Sequence, residues 1–164
     1  MGSIEVPIGD YKTTNGDEIL FTTGLEGCVG VAIFQKSKVL TRGLAHIYFG
    51  GGVNDLEVQS EMAQEQMAEF LGKFPERNRS AIITAVPFEY TEDHTYKNRM
   101  LDFLQNYLQE EGVEVKEVDE ERIVGNVGEV HSKDLILTPN EAKIIYRNAH
   151  GGCGQLSDMK KIKL

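Results

Sequence analysis

Two apolar runs separated by three polar residues constrain this chain more than anything else in it. Cys28-Val-Gly-Val-Ala-Ile-Phe-Gln35 is apolar until its last residue and partly β-branched. Lys36-Ser37-Lys38 interrupts it, and a second run follows over Val39–Phe49. A short, β-branched apolar run bounded by turn residues reads as a buried strand rather than a helix. The polar trio then closes a hairpin. Strands that are apolar on every residue cannot face water on either side, so the rest of the chain has to cover them.

The flanks supply the means. Ile4–Ile8 alternates and contains Pro7, which suits an edge strand. Thr14-Asn15-Gly16-Asp17 is a turn, Glu18–Thr23 a strand, and Gly24-Leu25-Glu26-Gly27 a tight loop into the first apolar run. Gly50-Gly51-Gly52 breaks the chain. A helix capped by Asn54 or Asp55 runs to about Gly72, with Leu56, Met62, Ala63, Met67, Phe70 and Leu71 mostly at helical spacing. Ser80–Val86 is a strand bounded by Pro87. A second helix, capped by Thr91 or Asp93, runs to about Glu111 and ends at Gly112, its stripe made by Met100, Leu101, Leu104, Tyr107 and Leu108. Val113–Val118 alternates as a half-exposed strand. Arg122–Val130 reads as a strand with a bulge at Gly125 or Gly128. Asp134–Leu137 and Ala142–Arg147 make a closing hairpin across Thr138–Glu141. The tail from His150 is glycine-rich and then basic, and it reads as mobile. Residues 1–164 show no linker or repeat. The expected fold is α+β, one domain with a mainly antiparallel or mixed sheet packed with helices.

Charge narrows the partners. A net charge of −9 and a pI near 4.9 argue against non-specific nucleic-acid binding and against an anionic membrane surface. No apolar run reaches the length of a membrane span, and the N-terminus lacks the pattern of a signal peptide. The two cysteines, Cys28 and Cys153, do not make a disulfide framework, so a reducing, cytoplasmic setting is expected.

The residues with chemical potential gather around the first apolar run. Cys28 follows Gly24 and Gly27, small residues that let a carbonyl approach and leave backbone N–H groups as oxyanion donors. His46 is the lone histidine of the second run. Across a hairpin its imidazole would draw the thiol proton and lower the cysteine pKa. Thr22 or Thr23 would orient the ring. The plainer reading is a packed core cysteine and a hydrogen-bonded core histidine. Asp93-His94 and His131 read as surface residues. Glu110-Glu111 and Asp119-Glu120-Glu121 read as solvated charge. His150-Gly-Gly-Cys153 falls far short of a four-ligand zinc site, and no glycine cluster has phosphate-loop or dinucleotide spacing.

Thr22-Thr23-Gly24-Leu25-Glu26-Gly27-Cys28-Val29-Gly30-Val31-Ala32, followed by Gly43-Leu44-Ala45-His46, resembles the CheD family of chemoreceptor glutamine deamidases. That family has a threonine, a Gly-Leu-Gly-Ser-Cys-Val-like segment and a later Gly-x-x-His. Leu25–Cys28 is also similar to the Leu-x-Gly-Cys element of glutamine-deamidating toxins of the cytotoxic necrotizing factor type. Glu26-Gly27 stand where CheD sequences carry Gly-Ser. In both groups the threonine lies six residues before the cysteine, which selects Thr22 over Thr23.

The resemblance implies a CheD-like fold and a hydrolase acting on side-chain amides. Cys28 would be the nucleophile, His46 the base and Thr22 its orienting group, with Gly27 and Gly24 in the oxyanion and substrate loop. No metal or organic cofactor is implied. The partner would be a protein bearing a reactive glutamine, either a chemoreceptor or a host signalling protein met in a host cytosol. Two rivals stand beside this reading: a non-catalytic binding module of the same fold, and another Cys-His hydrolase or transglutaminase-like enzyme.

Overall fold

The computed structural model describes residues 2–48, 56–75, 77–90, 95–148 and 157–164. Gly50–Gly52, the helix caps expected at Asn54 or Asp55 and at Thr91 or Asp93, Asp93-His94, and His150–Cys153 lie outside them.

The apolar hairpin is present, as β4 (Val29–Lys36) and β5 (Leu40–Ile47). They belong to a five-stranded sheet with β2 (Tyr11–Thr14), β6 (Arg79–Thr84) and β9 (Glu114–Asp119), in the order β2-β5-β4-β6-β9. β4 is its central strand, and only the β6–β9 pairing is parallel. A second five-stranded sheet runs β1-β3-β12-β13-β14. It is made of β1 (Ser3–Glu5), β3 (Ile19–Leu25), β12 (Ser132–Leu137), β13 (Glu141–Arg147) and β14 (Ser157–Lys163). Here β1 and β3 are parallel and the other pairs antiparallel. Small hairpins join β7 (Phe88–Tyr90) to β8 (Thr95–Lys97) and β10 (Ile123–Val124) to β11 (Gly128–Glu129). The described helices are α1 (Leu56–Leu71) and α2 (Arg99–Glu110). The fold is α+β with two mixed sheets.

The continuous apolarity of β4 now has its reason. Val29, Val31 and Ile33 pack under Met67 and Phe70 of α1 and Leu101 and Leu104 of α2. Ala32 and Phe34 pack the opposite way, with Leu20, Leu135 and Ile144 of the second sheet. Alternate residues of a strand point to opposite faces, so a strand covered by helices on one side and a sheet on the other must be apolar throughout.

Several expectations are corrected. The second helix starts at Arg99, capped by Asn98, whose side chain accepts from the N–H groups of Met100 and Leu101. Asn there satisfies two of the donors that a helix start leaves open, and the preceding Thr95-Tyr96-Lys97 pairs as β8. Arg122–Val130 is not a bulged strand but the β10–β11 hairpin, whose turn at residues 125–127 leads into Gly128 at φ +75°. The strand expected to end at Thr23 continues to Leu25, which moves the turn to Glu26–Cys28. The basic part of the tail is β14, added to the open edge of β13; Lys161 and Lys163 stay exposed on it, as charged residues do on edge strands. No described helix is long and apolar enough to cross a membrane.

Candidate active site

One row of paired residues crosses the first sheet. His46 on β5 faces Gly30 on β4, Gly30 faces Thr84 on β6, and Thr84 faces Asp119 on β9. Opposed residues share a face, and this face looks toward the second sheet. At Gly30 a Cβ would stand 2.7 Å from Leu25 Cδ1 and 3.2 Å from Leu135 Cδ2. A side chain there would force the tips of both leucines to shift.

His46 is 1 % exposed. Its Nδ1 lies 2.7 Å from the hydroxyl of Thr22, which reaches across from β3. The same hydroxyl lies 2.7 Å from the carbonyl oxygen of Val6. A carbonyl only accepts and a hydroxyl has one proton, so Thr22 donates to Val6 and accepts from His46. Nδ1 therefore carries the ring proton, and Nε2 is left with its lone pair. Nε2 is buried and has no hydrogen-bond partner among the described residues. Burial holds the His46 pKa below its usual 6.5, which favours the neutral ring. Thr23 is exposed, so the inward threonine is Thr22.

Cys28 ends the Glu26–Cys28 bend and leads directly into β4. It is a half-buried free thiol packed against the inter-sheet core. Two residues before Gly30, it has the parity of the His46-facing side, and diagonal neighbours on such a ladder are about 7–8 Å apart at Cα. The thiol pKa is not lowered as expected. Burial pushes it up from 9.0, because the charged thiolate is disfavoured away from water. At rest Cys28 is thus a thiol and His46 favours its neutral form, and no hydrogen bond joins the thiol to Nε2.

The two loop glycines differ. Gly24, at φ +68°, donates its N–H to Asp134 Oδ1 at 3.2 Å, so it is spent on holding the strand end rather than free as an oxyanion donor. Asp134 is fixed in turn by Arg147, with Nε at 2.9 Å and Nη2 at 2.8 Å from Oδ2. No acceptor among the described residues takes the N–H of Gly27 or Cys28. Gly27 is exposed, and a Cβ on it would stand 4.0 Å from the ring of Phe88, itself exposed.

A polar cluster at the far end of the row is absent from the sequence reading. Asp119, expected as solvated charge, is buried. Its Oδ2 accepts from Lys133 Nζ at 2.8 Å and Thr84 Oγ1 at 2.5 Å, and its Oδ1 from Tyr146 at 2.8 Å. Lys133 also donates to the Ala85 carbonyl at 2.8 Å. The signal was parity: Lys133 shares the inward phase of Leu135 and Leu137 on one strand.

Among the described residues no group of three or more His, Cys, Asp or Glu side chains converges as metal ligands. No protein-family model matches this sequence, and no characterised protein matches it.

Proposed function

We propose that this protein is a protein-glutamine deamidase of CheD-like fold, using Cys28 as nucleophile and His46 as base. The observation that carries the reading is the Thr22 hydroxyl, which fixes the His46 tautomer and leaves a bare, buried Nε2 on the face that Cys28 shares. A core histidine with only a structural task would be expected to bond through both nitrogens, since an unpaired buried polar atom is costly. A base that waits for a proton keeps one lone pair free.

The steps follow from these groups. As the Cys28 sulfur attacks the side-chain amide carbon of a substrate glutamine, its proton passes to His46 Nε2. The N–H groups of Gly27 and Cys28 are free to bind the oxyanion of the tetrahedral intermediate. Imidazolium then protonates the departing nitrogen. The C–N bond breaks, ammonia leaves, and a thioester remains. Neutral His46 next takes a proton from water as its oxygen attacks the thioester carbon. The C–S bond breaks, the thiol is restored, and glutamate is the product. Thr22 accepts the hydrogen bond of the Nδ1–H throughout and stabilises the imidazolium between the two halves.

Incubation with a glutamine-rich unfolded protein such as casein tests the reading. Ammonia release together with the intact-mass gain of an amide-to-acid conversion is expected, with neither in Cys28→Ser. Crosslinking to added amines without amide-to-acid conversion would assign a transglutaminase-like reaction instead. Peptide cleavage would assign a protease-like one, and no turnover on any glutamine donor would leave a binding module.

A further inference from the structure

β4, β6 and β9 run from the His46 row to an opposite end about 20 Å away, six residues along β4 at strand rise. At that end they border a cavity of about 290 Å³. Lys36 from the end of β4, Arg77 and Arg79 from the entry to β6, and Lys116 from β9 line it, with Ser80 beside them and Glu114 the one carboxylate. Four cations against one anion is a local excess of positive charge in a chain whose net charge is −9.

That charge is not cancelled nearby. Among the described residues no carboxylate lies within ion-pair distance of Lys36, Arg77, Arg79 or Lys116. Arg79 is held by uncharged groups: Nη1 donates to the Phe74 carbonyl at 3.3 Å and Nη2 to the Glu111 carbonyl at 2.5 Å. Its Nε–H is buried without an acceptor. The Lys116 ammonium sits 5.3 Å from the centre of the Phe34 ring, a face that attracts a cation without neutralising it. Like charges gathered and held this way repel one another unless an anion joins them.

We propose that this cavity binds a small molecule carrying several anionic oxygens, a phosphate ester or a polycarboxylate. Guanidinium forks match either group, and lysines add point charge. The volume is at the small end of ligand sites, which fits a compact multivalent anion. The site is independent of Cys28.

Calorimetric titration of pyrophosphate and of citrate into the full chain tests it, with ionic strength held constant by sodium chloride. Arg77→Glu and Lys116→Glu are the test variants, both at exposed positions. Lys161→Glu, an equal charge change on the other sheet, is the control, and circular dichroism melts check folding of each. Saturable binding of either anion, roughly tenfold or more weaker in both test variants and unchanged in the control, supports the site. Preference for pyrophosphate assigns a phosphate ligand, and preference for citrate a carboxylate one. Binding no better than chloride gives, or weakening equal in test and control variants, overturns it.

Discussion

Lys133 and Asp119 form an ion pair of 2.8 Å in which neither side chain has exposed surface. Lys133 stands on the second sheet and Asp119 on the first, so the pair joins the sheets at the end of the row that begins with His46. Desolvation pushes the Lys133 pKa down, and Asp119 opposes that. Breaking a buried pair costs about 3–5 kcal/mol, because it leaves an uncompensated charge. Asp119→Ala also strands the hydroxyls of Thr84 and Tyr146, whereas Lys133→Met leaves Asp119 with both of those donors. Urea unfolding should therefore show Asp119→Ala as the more damaging change. Equal midpoints for the two variants would mean that the hydroxyls contribute nothing.

Thr22 gives a sharper test of the site. Thr22→Val keeps the shape and removes the hydroxyl, leaving a buried ring N–H and the Val6 carbonyl unpaired, at about 1–3 kcal/mol. Turnover should fall, but less than in His46→Gln, which removes the base itself. Thr22→Ser should restore most of both. Thr23→Ala, at an exposed position, should shift stability by no more than about 0.5 kcal/mol and leave turnover unchanged. Nitrogen NMR of the ring should show the proton on Nδ1 in the native chain, with that preference relaxed in Thr22→Val. A proton found on Nε2 in the native chain would end the base assignment.

The His46 environment also fixes a pH dependence. Its folded pKa lies below the usual 6.5, so between the two values the unfolded chain binds the extra proton and the folded chain does not. Stability then rises with pH across that window. It is lost as pH falls below about 6.5, until the folded ring itself protonates. His46→Gln should flatten this part of the stability curve, measured as the urea midpoint from pH 7 down to pH 5 at points set around the histidine window. An unchanged slope would place the titrating group elsewhere.

How much of this was legible in the sequence differs by element. The β4–β5 hairpin was readable because burial on both faces leaves an unbroken apolar run. That Thr22 rather than Thr23 meets His46 was readable because the spacing resembles a known motif. β2 and β14 were not. Tyr11-Lys-Thr-Thr is too short and polar to announce a strand, and Ser157–Lys163 becomes one because β13 offers it an unpaired edge. The α2 cap was misplaced because Thr91, Asp93 and Asn98 are all good cap residues; the Asn98 amide also donates to the Val86 carbonyl, tying the helix start to the segment after β6. The thiol pKa could not be read at all. Its direction follows from how far Cys28 is buried, and only the packing of the two sheets decides that.

That last point yields a prediction about Cys28. A thiolate–imidazolium pair would alkylate rapidly and with little pH dependence through the neutral range. Here burial raises the thiol pKa above 9.0 and lowers that of the His46 ring. The iodoacetamide reaction of Cys28 should therefore be slow at pH 7 and still climbing above pH 9, because the thiolate is the reactive species. Mass spectrometry of the Cys28 peptide separates its labelling from that of Cys153. His46→Gln should leave this alkaline limb nearly in place, since a neutral ring contributes no charge to it, while abolishing turnover. A fast plateau at neutral pH that disappears in His46→Gln would show instead that the pair is charged at rest, and the proton would then be transferred before substrate binds rather than during attack.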